Sequence, residues 1–219
     1  MDVKLYYKEM YDDQLLPKPL RCLIVGSSGS GKTNLLLNFI YNKNGVSFKN
    51  LYVFSRSIEQ PAYVQLQQHY KNIEKVLGIQ AGYFFSSCED LISVDECEKN
   101  SLVVFDDCLL EEQSKIKDYF IRGRHKQISC VYLSQSYGRV DMQVIRNNVN
   151  MLCVFKQNKH YTKRIYDDFV GSDMTFNQFE NMCKKCWDIP YGFLTINMIR
   201  KPCDGKYRCL LKNIVVGTN

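Results

Sequence analysis

The sequence predicts an α/β fold with a mainly parallel sheet flanked by helices. Two observations carry that prediction. Short apolar, β-rich runs alternate with stretches whose apolar residues recur at helical spacing, and a glycine-rich loop, Gly26-Ser27-Ser28-Gly29-Ser30-Gly31-Lys32-Thr33, joins the first run to the first helix. With 219 residues, 45% of them hydrophobic, the chain can bury one sizeable core. No repeat, low-complexity tract or Gly/Ser linker divides it, so 1–219 reads as a single domain, with about 175–219 readable as a C-terminal appendage.

The elements follow in order. Residues 20–25 form a β-rich run that stops at Gly26, and Leu35, Leu36, Phe39 and Ile40 then fall at helical spacing, placing a helix over 33–41. Apolar runs of strand length recur at 51–55, 83–86, 101–106, 128–134, 151–156, 192–197 and 207–211. The stretches between them read as helices over 61–70, 110–122, 160–170 and 175–186.

Composition excludes several classes. No stretch approaches the roughly 18 uninterrupted apolar residues of a membrane helix, and the opening MDVKLYYKEMYDD lacks the basic-then-apolar order of a secretory signal, so a soluble, intracellular protein is expected. The ten cysteines are scattered through predicted strands, as at Cys22, Cys130 and Cys153, which reads as reduced thiols in a core rather than a disulfide scaffold. A net charge of +6 and a pI of about 8.7 suit contact with a polyanion, but an excess this small is also carried by an ordinary solvated surface.

The loop matches G-x4-G-K-[ST], a pattern a chain of this length meets by chance about one time in a hundred. Its position where a strand feeds a helix is what phosphate binding demands. Gly26, Gly29 and Gly31 keep side chains out of the way, so that backbone N–H groups, with those of Ser27, Ser28 and Ser30, turn onto phosphate oxygens at the positive end of the helix dipole. Lys32 would reach the β- and γ-phosphates and Thr33 would place its hydroxyl on Mg²⁺. The competing reading is a glycine-serine turn beside a chance lysine.

A triphosphate site needs a metal partner, and Leu102-Val103-Val104-Phe105-Asp106-Asp107 supplies an apolar strand ending in carboxylates. Asp106 is the expected Mg²⁺ ligand, directly or through a water, and Asp107 the group that polarises the attacking water. The strand over 128–134 ends at the same predicted sheet edge, where Gln135 could hydrogen-bond the water or the γ-phosphate. Between these strands, Ile121-Arg122-Gly123-Arg124-His125-Lys126 is a basic turn. It reads either as an arginine finger given to a neighbouring subunit's ATP, with Arg124 first choice and Arg122 second, or as a solvated helix end stabilised by the dipole.

This order of motifs, completed by Ile145-Arg146-Asn147-Asn148, resembles the poxvirus-type DNA-packaging ATPases. These are a branch of the HerA/FtsK-type motors found also in giant viruses, virophages and Polinton/Maverick transposons. The resemblance runs from about residue 20 to 211 and includes Phe176, Phe179 and the Tyr191-Gly192-Phe193-Leu194 strand. It implies a RecA-like (ASCE) P-loop NTPase using ATP and Mg²⁺, assembled as a homo-oligomeric ring that threads double-stranded DNA, without sequence preference, into a preformed capsid. The expected partners are therefore DNA and capsid or packaging-vertex proteins, and the expected place is the host cytoplasm or nucleus at sites of virus assembly, or the virion. The resemblance carries Lys32 and Thr33 onto phosphate and metal, Asp106 onto metal, Asp107 onto water activation and Gln135 onto sensing. Both Arg122 and Arg124 fall in the matching stretch, and Arg146 is readable as a second trans-acting arginine or an interface residue. Asp107 stands where many DNA pumps have Glu.

Other readings have distinct signatures. A GTPase would want Asp-x-x-Gly and Asn-Lys-x-Asp, where the chain has Asp106-Asp107-Cys108-Leu109 and Asn158-Lys159-His160-Tyr161. A small-molecule kinase would need paired lid arginines, and an ATP-dependent clamp or scaffold in virus assembly or replication would bind nucleotide without turnover. From Lys184 to Lys212 seven Lys/Arg face two acids, a candidate DNA surface or a solvated charge face. Cys183 and Cys186 have zinc-ligand spacing, but Cys203 and Cys209 are separated by five residues, which favours a metal-free helical pair. Trp187 reads as a packing residue.

Overall fold

The computed structural model describes residues 16–213 except 88–89, 109–112, 140–144 and 146. In chain order the strands are β1 (Arg21–Val25), β2 (Asn50–Ser55), β3 (Gly82–Phe85), β4 (Ser101–Asp106), β5 (Ser129–Ser134), β6 (Met151–Phe155), β7 (Phe193–Asn197), β8 (Tyr207–Cys209) and β9 (Lys212–Asn213). The helices are α1 (Lys32–Tyr41), α2 (Pro61–Leu77), α3 (Gln113–Arg122), α4 (Lys159–Phe169) and α5 (Phe176–Trp187). Among the described residues no helix is long and apolar enough to cross a membrane.

Among the described residues nine strands join one sheet in the order β3-β2-β4-β5-β1-β6-β7-β8-β9. From β3 to β6 neighbours run parallel, and from β6 onward they run antiparallel. The strands after residue 175 thus extend the same sheet. Strands buried on both faces need no polar alternation, which is why β1, β4, β5 and β6 read as continuous apolar runs.

Successive side chains still go to opposite faces. Cys22, Ile24, Val53, Val104, Leu133 and Cys153 pack with Leu35, Leu36 and Phe39 of α1 and Tyr63 and Leu66 of α2. Leu23, Val25, Phe54, Phe105, Tyr132 and Val154 pack on the other face with Ile116 and Phe120 of α3, Ile165 of α4 and Phe179, Cys183 and Cys186 of α5. Among the described residues eight cysteines are free thiols, six of them buried.

The expected helix over 61–70 continues to Leu77. Its second half, residues 71–77, is mostly exposed and adds nothing to the buried core, although Ile73, Val76 and Leu77 stand at helical spacing. The stop is chemical: Gly78 takes a left-handed φ of 67° and its N–H donates to Glu74 O at 2.8 Å.

Parallel direction places the carboxyl ends of six strands along one edge. Register makes this exact to the residue, with Val25 beside Ser134 and Val154, Asp106 beside Leu133, and Ser55 beside Asp106. Whatever leaves β1, β4 and β5 at their last residues converges there.

Candidate functional site

The loop leaving β1 is anchored first at Gly26, whose N–H donates to Ser134 O at the end of β5, 3.1 Å away. A Cβ on Gly26 would lie 2.6 Å from both Phe155 Cβ and Ser30 Oγ, so only glycine fits beneath the loop. Gly29 and Gly31 hold left-handed φ values of 73° and 106°, a region open to glycine at little cost. Gly31 caps α1 without a side-chain hydrogen bond, and no acid stands in the first turn. The amides opening that helix therefore remain available to an anion.

Lys32 folds back over this cradle. Its Nζ donates to Gly26 O at 2.7 Å and to Ser27 O at 2.9 Å. Ser27, Ser28 and Gly29 are exposed, Thr33 is half-buried beside Lys32, and Ser30 Oγ is buried with no hydrogen-bond partner.

Asp106 closes β4 and is 9% exposed. Its Oδ2 accepts a 2.7 Å hydrogen bond from the Tyr63 hydroxyl. Burial pushes the Asp106 carboxyl above its usual range, while the Tyr63 bond and the Lys32 charge oppose the rise. Burial conversely lowers the Lys32 ammonium, opposed by Asp106 and Asp107. The lysine and both acids thus share one electrostatic neighbourhood, although β5 separates their strands by about 10 Å of sheet.

Asp107 turns the chain out of β4 at a left-handed φ of 57°. Asp and Asn tolerate this region better than other residues with side chains. Gln135 is exposed one residue beyond Ser134, in a turn where Ser134 Oγ donates to Ser136 O at 2.9 Å. Because Ser134 O also holds Gly26, Gln135 begins next to the first residue of the loop.

The two arginines lie elsewhere. Arg122 ends α3 and Arg124 lies in the 3-10 turn that precedes β5, so both stand at the amino edge of the sheet, about 20 Å of strand from the loop. Arg122 donates to both Asp95 oxygens and to Asp118 Oδ2, each at 2.7 Å. Among the described residues the exposed Arg124 side chain makes no hydrogen bond or ion pair. Its charge is felt by Arg21, whose pKa is lowered mainly by burial. Arg146 lies outside the described residues.

The basic stretch near the C-terminus is largely compensated. Lys184 pairs with Glu180, Arg200 with Asp204 and Lys206 with Asp173, while the buried Arg208 donates Nε to Gly205 O. Lys185 and Lys201 remain exposed. Cys183 and Cys186 face the core, and burial raises both thiols. Among the described residues no group of three or more His, Cys, Asp or Glu is placed to hold a metal ion. Trp187 donates Nε1–H to Val154 O at 2.9 Å, tying α5 to β6.

The model of the family described as Poxvirus A32 protein matches residues 7–168, well over half of the chain. The chain belongs to the poxvirus A32 protein family. The matched span takes in the glycine loop, Asp106, Asp107, Gln135 and both arginines. Among curated relatives, DNA packaging protein OPG160 of Monkeypox virus is 26% identical over 156 residues, 68% of this chain and 51% of that protein. The Vaccinia virus (strain Western Reserve) protein of the same name is 27% identical over 157 residues, 68% of this chain and 57% of that one. Uncharacterized protein 088R of Invertebrate iridescent virus 3 is 24% identical over 174 residues, 74% of this chain and 63% of that one. The chain therefore spans between half and two thirds of the length of these relatives. Among solved structures, B204, the DNA-packaging ATPase from Sulfolobus Turreted Icosahedral Virus, superposes with a TM-score of 0.55 at 12% identity, over 90% of this chain and 97% of that one. That likeness shows the fold, a mainly parallel sheet flanked by helices in which β5 stands between the loop-bearing β1 and the acid-bearing β4.

Tyr63 is the site residue that sequence reasoning missed. It reads as one more core aromatic on a helix, and its partner Asp106 is 43 residues away. Tyr63→Phe leaves Asp106 Oδ2 buried without its donor, an expected loss of about 1–3 kcal/mol. Denaturant unfolding checks the stability, and a rise in the Mg²⁺ concentration for half-maximal nucleotide turnover checks the link to the site. Unchanged values in both would show that the bond does not hold Asp106.

Proposed function

We propose that the chain is the ATP-hydrolysing motor domain that moves double-stranded viral DNA into a preformed capsid, acting as a homo-oligomeric ring at sites of virus assembly. The observation that carries this reading is the convergence, at one sheet edge, of an uncapped glycine cradle, the Lys32 ammonium and the strand-end carboxylate Asp106, in a family with relatives named DNA packaging protein.

The residues fit a magnesium-bound triphosphate. Two left-handed glycines and the open amides of α1 suit phosphate oxygens, and an oxygen-only donor set of Thr33 and Asp106 suits a hard cation. Such an ion would neutralise charge on the β- and γ-phosphate oxygens. Lys32 would exchange its two loop carbonyls for phosphate oxygens. Asp107 accepts the proton of the attacking water as the bond to ADP breaks and inorganic phosphate forms, with Gln135 orienting that water or the γ-phosphate. Capsid or packaging-vertex proteins and DNA of any sequence are the expected partners.

Phosphate release, measured against protein concentration with and without long duplex DNA, tests the motor. Stimulation by DNA and a steep rise with concentration are expected. A rate linear in concentration and indifferent to DNA would contradict it, and nucleotide binding without turnover is what a clamp would give.

Arg124 cannot serve its own site from the opposite sheet edge, and its exposed side chain, unpaired among the described residues, supports a role at a neighbour's. Arg124→Ala is expected to be inactive alone, and to recover part of the turnover when mixed with Asp107→Asn subunits, because some boundaries then hold both intact acids and an arginine. Mixed-subunit assays read this directly. If mixing restores nothing, Arg124 is not the trans finger.

A further inference from the structure

An aromatic side chain lies against the cradle on the side away from the acids. The residue is Tyr191, in the turn between α5 and β7. A Cβ built on Gly31 would lie 3.5 Å from both Cβ and Cδ1 of Tyr191. Although it touches the loop at Gly31, Tyr191 is 58% exposed. Among the described residues its side chain has no hydrogen bond, ion pair or ring partner. It also holds a left-handed φ of 56°, which costs a bulky residue on the order of 1–3 kcal/mol and so requires the surroundings to fix it.

Those surroundings are rigid. Gly192 N–H donates to Ile189 O at 2.8 Å, and a Cβ on Gly192 would lie 1.9 Å from Cys186 O, so the turn is pressed onto the end of α5. Trp187 pins that end to β6 through Val154 O. Beneath, Phe155 packs on Phe193 with ring centroids 4.9 Å apart, and Phe155 Cε1 also lies 3.5 Å from the Gly31 Cβ position.

Sheet order gives the direction of a bound nucleotide. The acids leave β4, two strands from β1 on one side, whereas Tyr191 precedes β7, two strands from β1 on the other. A triphosphate whose γ end lies by Asp106 and Asp107 must send its nucleoside end the other way, over the start of α1 toward Tyr191.

We infer that Tyr191 is the nucleobase platform of this site, a solvent-facing ring fixed beside Gly31 on which the base of the bound nucleotide stacks. The inference rests on the reading of the glycine loop as a triphosphate site. Base–aromatic stacking is worth about 1–3 kcal/mol, so removing the ring should weaken nucleotide binding by about tenfold.

The test is calorimetric titration of the full chain and its Tyr191→Ala and Tyr191→Phe variants with two Mg²⁺-loaded probes, ATP and inorganic tripolyphosphate. Tyr191→Ala is expected to weaken ATP by about tenfold and leave tripolyphosphate unchanged, and Tyr191→Phe, which keeps the ring, to restore ATP affinity. Equal ATP affinity in Tyr191→Ala and wild type would overturn the inference. So would parallel losses for both probes, which would make Tyr191 a prop for the loop. A wild-type chain that binds neither probe would instead overturn the phosphate-site reading itself.

Discussion

Lys32→Ala is expected to weaken ATP binding by about 100-fold or more while leaving the fold intact. The ammonium is already inside the cradle, donating to Gly26 O and Ser27 O, so it would reach a bound phosphate by exchanging acceptors rather than by crossing solvent. Each charge-assisted hydrogen bond is worth about 1.5–3 kcal/mol, and two of them correspond to about two decades or more in Kd. The fold should tolerate the loss, because the loop is held independently by Gly26 N–H on Ser134 O and by the packing of Gly26 under Phe155. Isothermal titration with Mg-ATP reads the affinity and circular dichroism the fold. ATP affinity within a few fold of wild type, in a folded variant, would remove Lys32 from the phosphate site.

Asp107→Asn should do the reverse, binding ATP within about threefold of wild type while losing about 10²–10⁴ in kcat, the usual worth of a general base. Asparagine is the informative replacement, because position 107 sits at φ 57° and Asn accepts the left-handed region as Asp does. Alanine there would add backbone strain to the loss of the carboxylate and confuse the two. Single-turnover phosphate release separates chemistry from product release. A kcat near wild type would assign water activation to another group.

The parts of this molecule that could be read from sequence are those set by neighbours in the chain. The glycine loop stands between an apolar run and a helical run, and β1, β4 and β5 end within a residue of where their polar residues begin. Local pattern sufficed because strands buried on both faces announce themselves by continuous apolarity. The end of α2 was harder to place, because Ile73, Val76 and Leu77 keep helical spacing but lie outside the buried core, and Gly78 is what closes the helix.

Pairings between distant residues were also illegible. Nothing near Tyr63 indicates that its hydroxyl meets Asp106, since that contact depends on β2 and β4 being neighbours. Arg122 and Arg124 look equivalent in sequence, yet Asp95 and Asp118 engage one and leave the other. The C-terminal cations looked available for DNA until Glu180, Asp204 and Asp173 were found beside three of them. Tyr191 became informative only through its contact with Gly31 and its backbone angle.

The most direct measurement is an experimental structure of the chain with Mg²⁺ and a slowly hydrolysed ATP analogue. The account predicts phosphate oxygens against the amides of residues 27–33, the cation between Thr33 Oγ1 and Asp106, and Lys32 Nζ moved from the Gly26 and Ser27 carbonyls onto phosphate. An analogue bound outside the loop, with Lys32 still bonded to those two carbonyls and Asp106 away from any cation, would contradict it.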